Sequence, residues 1–215
     1  MYKSEKIILA SASPRRKEIL ERNGIKFEIL VPKGQEKNIV GEKYSEFLVN
    51  ECAVAKAKSV QDSLYQKPVG DSVYQQFVGA DILSARGTTE CRPLQLIVSC
   101  DTVVVNDGII IGKPKDRADA IKILKSLSNK THLVASSVCV MRGDDIKVAH
   151  EVTKVTFREL SDKEIEDYID RCNPLDKAGS YGIQDEGFNF AVKVEGNLDN
   201  VIGFPMNSFK KIIKI

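Results

Sequence analysis

Leu96-Ile97-Val98-Ser99-Cys100-Asp101-Thr102-Val103-Val104-Val105-Asn106-Asp107-Gly108-Ile109-Ile110-Ile111 is the stretch that decides the fold of this 215-residue chain. Its first five residues have the apolar character of a buried strand and deliver Asp101-Thr102 at the strand's end, ahead of a second apolar run. Asn106-Asp107-Gly108 supplies the residues of a hairpin turn into Ile109-Ile110-Ile111. A carboxylate at the end of a buried strand is placed where α/β proteins collect their sites, although a turn-forming aspartate is as common.

Downstream, Gly112-Lys113-Pro114 closes the hairpin, and a helix follows over about Arg117–Leu127 with Asp116 as its cap. His132–Met141 and Lys147–Arg158 read as two long strands around Arg142-Gly143-Asp144-Asp145. Ser161-Asp162-Lys163-Glu164 has the form of a capping box opening a helix through about Arg171, which Pro174 ends. Pro174–Gln184 is dense in glycine and small polar residues, consistent with backbone that approaches a ligand or with a structural turn holding an Asp176–Lys177 pair. Strand-like Phe190–Val194 and a short helix after Pro205 complete the chain.

Upstream, Lys6–Ala10 reads as a buried strand, Ser11–Ser13 as a loop, and Pro14 as the first turn of a helix with Ser13 as N-cap, stopping at Asn23-Gly24. Ile25–Val31 is a further strand candidate, and Tyr44–Val60 a helix with Phe47, Leu48, Val54 and Ala55 on its apolar face. From about residue 59 to 95 glycines and prolines interrupt every pattern, which predicts an insertion or long loop within a single domain spanning 1–215. Strands and helices in this order make an α/β protein with long antiparallel portions.

Composition narrows the function classes. Thirty-two basic residues against 30 acidic ones leave a net charge of +2, too balanced for a nucleic-acid binder, so any positive site must be local. No apolar run approaches the roughly 20 residues of a membrane span. The charged start Met1–Lys6 and its short apolar sequel do not make a secretory signal, and five cysteines without a C-x-x-C pair fit reduced thiols; a cytoplasmic location is expected. Asn129-Lys130-Thr131 is read as a turn, and His132 and His150 as strand residues rather than metal ligands.

A strand feeding a serine-rich loop into a helix start offers backbone N–H groups and a positive dipole end to a phosphate. Arg15 and Arg16 add planar donors for paired phosphate contacts, unless they are only solvated first-turn residues. Lys113 stands beside the same strand end or is a surface lysine. No G-x-x-x-x-G-K-[ST] motif occurs.

Leu9-Ala10-Ser11-Ala12-Ser13-Pro14-Arg15-Arg16, Ser99-Cys100-Asp101-Thr102-Val103-Val104, Gly112-Lys113-Pro114, Asp176-Lys177-Ala178-Gly179, Tyr181-Gly182-Ile183-Gln184 and Asn200-Val201-Ile202-Gly203-Phe204-Pro205, in this order, resemble the Maf family of nucleotide pyrophosphatases over nearly the whole chain apart from about 59 to 95. The resemblance implies a two-lobed α/β fold like that of inosine triphosphate pyrophosphatases, with a central mixed, twisted sheet flanked by helices, a cleft site and a homodimer. It implies hydrolysis of a nucleoside triphosphate to monophosphate and pyrophosphate with a divalent cation: magnesium, or manganese or cobalt in its place. It carries site roles onto Ser11, Ser13, Arg15, Arg16, Lys56, Thr102, Lys113 and Gln184 as substrate-binding residues, Asp101 as catalytic residue, and Glu36 with Asp101 toward the metal. Tyr181–Gln184 is similar to the dTTP/UTP branch, whereas a branch acting on 7-methyl-GTP differs there. Val78-Gly79-Ala80-Asp81-Ile82 imitates the aspartate motif without the continuation that follows Asp101. Phe204 stands where the family often has leucine. A non-catalytic nucleotide-binding regulator is the rival class.

Overall fold

A computed structural model describes residues 7–34, 37–65 and 94–214. Glu36, Asp81 and most of the predicted insertion lie outside the described residues.

The apolar runs form one mixed seven-stranded sheet. Its strands are β1 (Ile7–Leu9), β2 (Phe27–Ile29), β3 (Leu96–Asn106), β4 (Ile109–Ile111), β5 (Thr131–Arg142), β6 (Asp145–Phe157) and β7 (Ala191–Glu195). The order is β2-β1-β3-β5-β6-β7, with β4 paired to β3. β2, β1 and β3 are parallel and the remaining pairs antiparallel. The helices are α1 (Pro14–Arg22), α2 (Glu46–Tyr65), α3 (Arg117–Leu127), α4 (Asp162–Cys172), α5 (Leu198–Ile202) and α6 (Met206–Ile213).

Local chemistry explains most boundaries. The β3–β4 hairpin turns through Asp107 and Gly108, both at positive φ, as the twist of a two-residue hairpin requires. Asp116 caps α3 by accepting from the Asp119 N–H at 2.8 Å. Ser161 and Glu164 close the capping box of α4 from both sides. Arg158 and the Ser161 donors hold the Glu164 carboxyl down at about 2. Asn129 turns the chain in the left-handed region between α3 and β5.

Three expectations change. Asp101 does not end its strand: Val103-Val104-Val105 continue the alternation, pair with β5 and β4, and carry β3 on to Asn106. α2 runs past Ser59 to Tyr65, so the irregular segment begins later than its composition suggests. The buried face of α2 is Val49, Cys52, Ala53, Ala57 and Val60, while Phe47 is exposed. Small residues let this helix lie close on the sheet, which outweighs the size of Phe47.

Alternation along β3 separates two faces. On one, Leu96, Val98 and Cys100 pack with α1 and α6, and Val104 packs with α3 and α4. On the other, Ile97 packs with the C-terminal half of α2, and Val103 and Val105 with its N-terminal half. Between these apolar blocks runs a polar band. Asp101 pairs with Ser137 and Ser137 with His150 on the α2 face, while Thr102 pairs with Ser136 and Ser136 with Glu151 on the opposite face.

His132 of β5 is buried against the Phe157 edge, with Nε2 2.8 Å from the Tyr181 hydroxyl and Nδ1 without a partner among the described residues. Burial lowers it from 6.5 to about 4, so as pH falls below 6.5 the unfolded chain takes up this proton first. The stability it contributes is complete above pH 6.5 and lost as pH falls to about 4. Urea unfolding across this window should show the wild-type chain losing up to about 3 kcal/mol more than His132→Gln.

Candidate functional site

The register of β3 leaves a gap. β1 pairs with Leu96, Ile97 and Val98, the Ala10 N–H reaches the Val98 carbonyl at 2.8 Å, and β4 pairs only with Val104, Val105 and Asn106 on the same edge. Among the described residues, Ser99–Val103 therefore have no strand partner on that side. The loop after β1, Ser11–Ser13, and the loop after β4, Gly112-Lys113, both leave their strands at this gap. The Pro174–Gln184 segment closes against it: the Gly179 N–H donates to the Gly112 carbonyl at 3.0 Å, and Gly179, at φ +71, lies so close to Val104 that a Cβ would stand 2.7 Å from Cγ2. Only glycine fits there.

Side chains reach the gap from both faces. From the α1 side, Arg16 donates through Nε to the Gly203 carbonyl (2.9 Å), through Nη1 to Ser11 Oγ (3.2 Å) and through Nη2 to Thr102 Oγ1 (3.3 Å). A guanidinium has five N–H groups; three are used here, so two remain, one on each terminal nitrogen. Arg16 is thus a fixed fork matched to two oxygens of one phosphate. Ser11 is buried and also accepts from the Ser13 N–H at 3.2 Å.

Ser13 is at the N-cap, but its side chain does not cap, correcting that expectation. Pro14 fills the first position and the first turn carries no acidic residue, so the helix start stays electropositive. Arg15 turns away from Arg16: Nη1 pairs with Asp176 Oδ2 at 3.1 Å, tying the Ser11–Arg16 turn to the Asp176 segment. Asp176 is well exposed, so this pair is weak and exchangeable.

From the α2 side, Lys56 Nζ pairs with Asp101 Oδ1, with only 11% and 14% of the two side chains exposed. The pair aims the Asp101 carboxylate while leaving Oδ2 for another partner. Lys56 lies one position before Ala57 in the small-residue stripe of α2, which is why a lysine is carried down onto the sheet. Asp101 and Thr102, adjacent in sequence, point to opposite faces, and the unpaired edge is where groups from both faces can meet one ligand.

Lys113 is exposed at the end of β4, beside the Gly112–Gly179 contact, without a polar partner among the described residues. Gln184 is exposed on a loop held by Tyr168, whose hydroxyl donates to Asp185 and accepts from the Gly182 N–H; no contact joins Gln184 to Asp101 or Arg16. Lys177 serves the same loop, with Nζ 3.1 Å from the Cys172 carbonyl, 3.4 Å from Asp185 and 3.8 Å from Asp176.

The residue reading by chemistry alone missed Gly203, whose carbonyl gathers Arg16, Thr102 (3.2 Å) and the Cys100 thiol (3.4 Å). Burial pushes the Cys100 thiol up, so it stays protonated and donates. Gly203 stands within the Asn200–Pro205 motif, but its acceptor is a backbone carbonyl that no residue type announces. Thr102→Val keeps shape and charge but removes one acceptor from Arg16. The expected loss is about 1.5–3 kcal/mol, roughly 10- to 100-fold, in inorganic pyrophosphate affinity measured by calorimetry, alongside a lower melting temperature from the lost Gly203 and Ser136 bonds.

A family model described as Maf-like protein matches residues 6–215. The dTTP/UTP pyrophosphatase of Clostridium beijerinckii is 36% identical over 97% of this chain and 98% of its own length. That of Pyrococcus furiosus is 39% identical over 98% and 95% respectively, and that of Aquifex aeolicus 35% identical over 97% and 94%. With likeness this extensive, and with the family's motif loops converging on one interrupted strand edge, the chain belongs to the Maf family.

Proposed function

We propose that this protein is a nucleoside triphosphate pyrophosphatase acting on dTTP and UTP, the substrates named for the relatives above. The observation that carries the reading is the convergence at the gap in β3: the Arg16 fork with Ser11 and Thr102 from one face, and the Lys56–Asp101 pair from the other. Oxyanion donors on one side and a carboxylate on the other are what attack of water on a phosphorus needs.

In this reading Arg16 grips phosphate oxygens without having to reorganise, and Arg15 exchanges Asp176 for the substrate. Lys113 lies at the end of β4 for the phosphates that leave. Asp101, held by Lys56 through Oδ1, orients or deprotonates water at Oδ2. Water oxygen bonds to the α-phosphorus, the bond from that phosphorus to the α–β bridging oxygen breaks, and its electron pair leaves with pyrophosphate. Gln184 recognises the pyrimidine edge through its amide.

Among the described residues no three His, Cys, Asp or Glu side chains cluster to hold a metal. The Asp101 Oδ2 carboxylate oxygen suits a hard divalent cation held mainly by phosphate oxygens, and the family resemblance adds Glu36 as a second carboxylate. Magnesium bound there would neutralise phosphate charge. The reading also includes a homodimer and a cytoplasmic location; among the described residues no helix is long and apolar enough to cross a membrane.

Pyrophosphate and orthophosphate release, measured with dTTP, UTP, CTP, GTP and 7-methyl-GTP with and without magnesium, tests the proposal. Pyrophosphate from dTTP and UTP is expected, and Asp101→Asn should lower kcat at least about 100-fold with substrate affinity kept. Gln184→Ala should reduce the UTP over GTP preference. Near-normal turnover by Asp101→Asn rejects its role. Tight binding without pyrophosphate release favours a regulator, and selective turnover of 7-methyl-GTP favours the other branch.

A further inference from the structure

The grip of Arg16 depends on where the Gly203 carbonyl stands, and Gly203 ends a helix too short to hold its own place. α5 has five residues, fewer than two turns. Gly203 itself is at φ +127, a conformation that only glycine adopts readily. What fixes the end of α5 is Asn200. Its side chain has no exposure, and Nδ2 donates to the Val134 carbonyl of β5 and to Thr153 Oγ1 of β6, both at 3.0 Å.

The backbone of Asn200 continues the connection toward the site. Its carbonyl accepts from the Gly203 N–H at 3.1 Å and from Ser136 Oγ at 3.3 Å, and Ser136 Oγ lies 2.9 Å from Thr102 Oγ1. Thr102 Oγ1 and the Gly203 carbonyl are two of the three acceptors that hold Arg16. Asn200 thus ties both to the middle of the sheet. We propose that Asn200 is a positioning residue for Arg16: it sets the Gly203 carbonyl and, through Ser136, the Thr102 hydroxyl, so that the free edge of the guanidinium faces the phosphate. It touches no substrate. This inference rests on the phosphate-gripping role of Arg16 stated above.

A double-mutant cycle separates this from a general structural role. Asn200→Ala is expected to lower both kcat/KM for dTTP and inorganic pyrophosphate affinity roughly 10- to 100-fold with Arg16 present. In an Arg16→Lys background, where the fork is already gone, the same change should cost less than about 3-fold. Equal losses in both backgrounds, or none in a folded Asn200→Ala, overturn the proposal. Asn200→Ser, smaller but still a donor, is taken through the same cycle in case the alanine variant does not fold. Because the cycle is also read on pyrophosphate affinity, a wild-type chain that fails to hydrolyse dTTP overturns the pyrophosphatase reading and still leaves the role of Asn200 to be decided by the binding data.

Discussion

The structure turns on a missing strand. Between the end of β1 at Leu9 and the end of β4 at Ile111, the edge of β3 from Ser99 to Val103 has no strand beside it among the described residues. Backbone polar groups at such an edge need water or a ligand for a partner, and side chains from both faces can come around it. The elements that carry Ser11, Arg16, Asp101, Thr102 and Lys113 are arranged about this opening. The parallel pairing of β1 aims the Ser11–Arg16 turn at one end, and the β3–β4 hairpin brings Gly112-Lys113 back to the other. The Gly179 contact with Val104 closes a third side.

A sheet that is apolar on both faces would be an inert slab at this point. The polar band of Asp101, Ser137 and His150 on one face and Thr102, Ser136 and Glu151 on the other breaks the core where the edge opens. On the α2 face Ser137 and His150 are held in one network: Ser137 Oγ lies 2.7 Å from Asn50 Oδ1 and 2.8 Å from His150 Nδ1, and His150 Nε2 lies 2.7 Å from the Tyr44 hydroxyl. Buried polar groups satisfied in this way specify one arrangement, so the carboxylate and the fork stand in fixed relation before any ligand arrives.

Much of this was legible in the sequence. Capping residues at Asp116 and Ser161, the Asp107-Gly108 turn and the apolar runs located most elements, because each is decided by chemistry within a few residues. Resemblance ordered the motif loops. Non-local choices were harder to read. Asp101 looked like a strand end because the continuation to Asn106 is imposed by pairing with β5 and β4. The face of α2 was misjudged because Phe47 outranks alanine in apolarity, whereas close packing on the sheet selects Ala53 and Ala57; a lysine at 56 inside that small-residue stripe was the signal for the Asp101 pair. The Gly203 carbonyl is a backbone atom, so no residue type announces it. Ser136-Ser137 belong to no motif, and only the register sets them beside Asp101 and Thr102.

The central claim is that one triphosphate sits at the open edge of β3 and is contacted from both faces of the sheet. A crystal structure with the non-hydrolysable α,β-methylene analogue of UTP and magnesium tests it most directly. The account predicts phosphate oxygens on the free N–H pair of Arg16 and the α-phosphorus facing Asp101 Oδ2 across the Ser99–Val103 edge. An analogue bound with its phosphates on one face only, away from that edge, would contradict it.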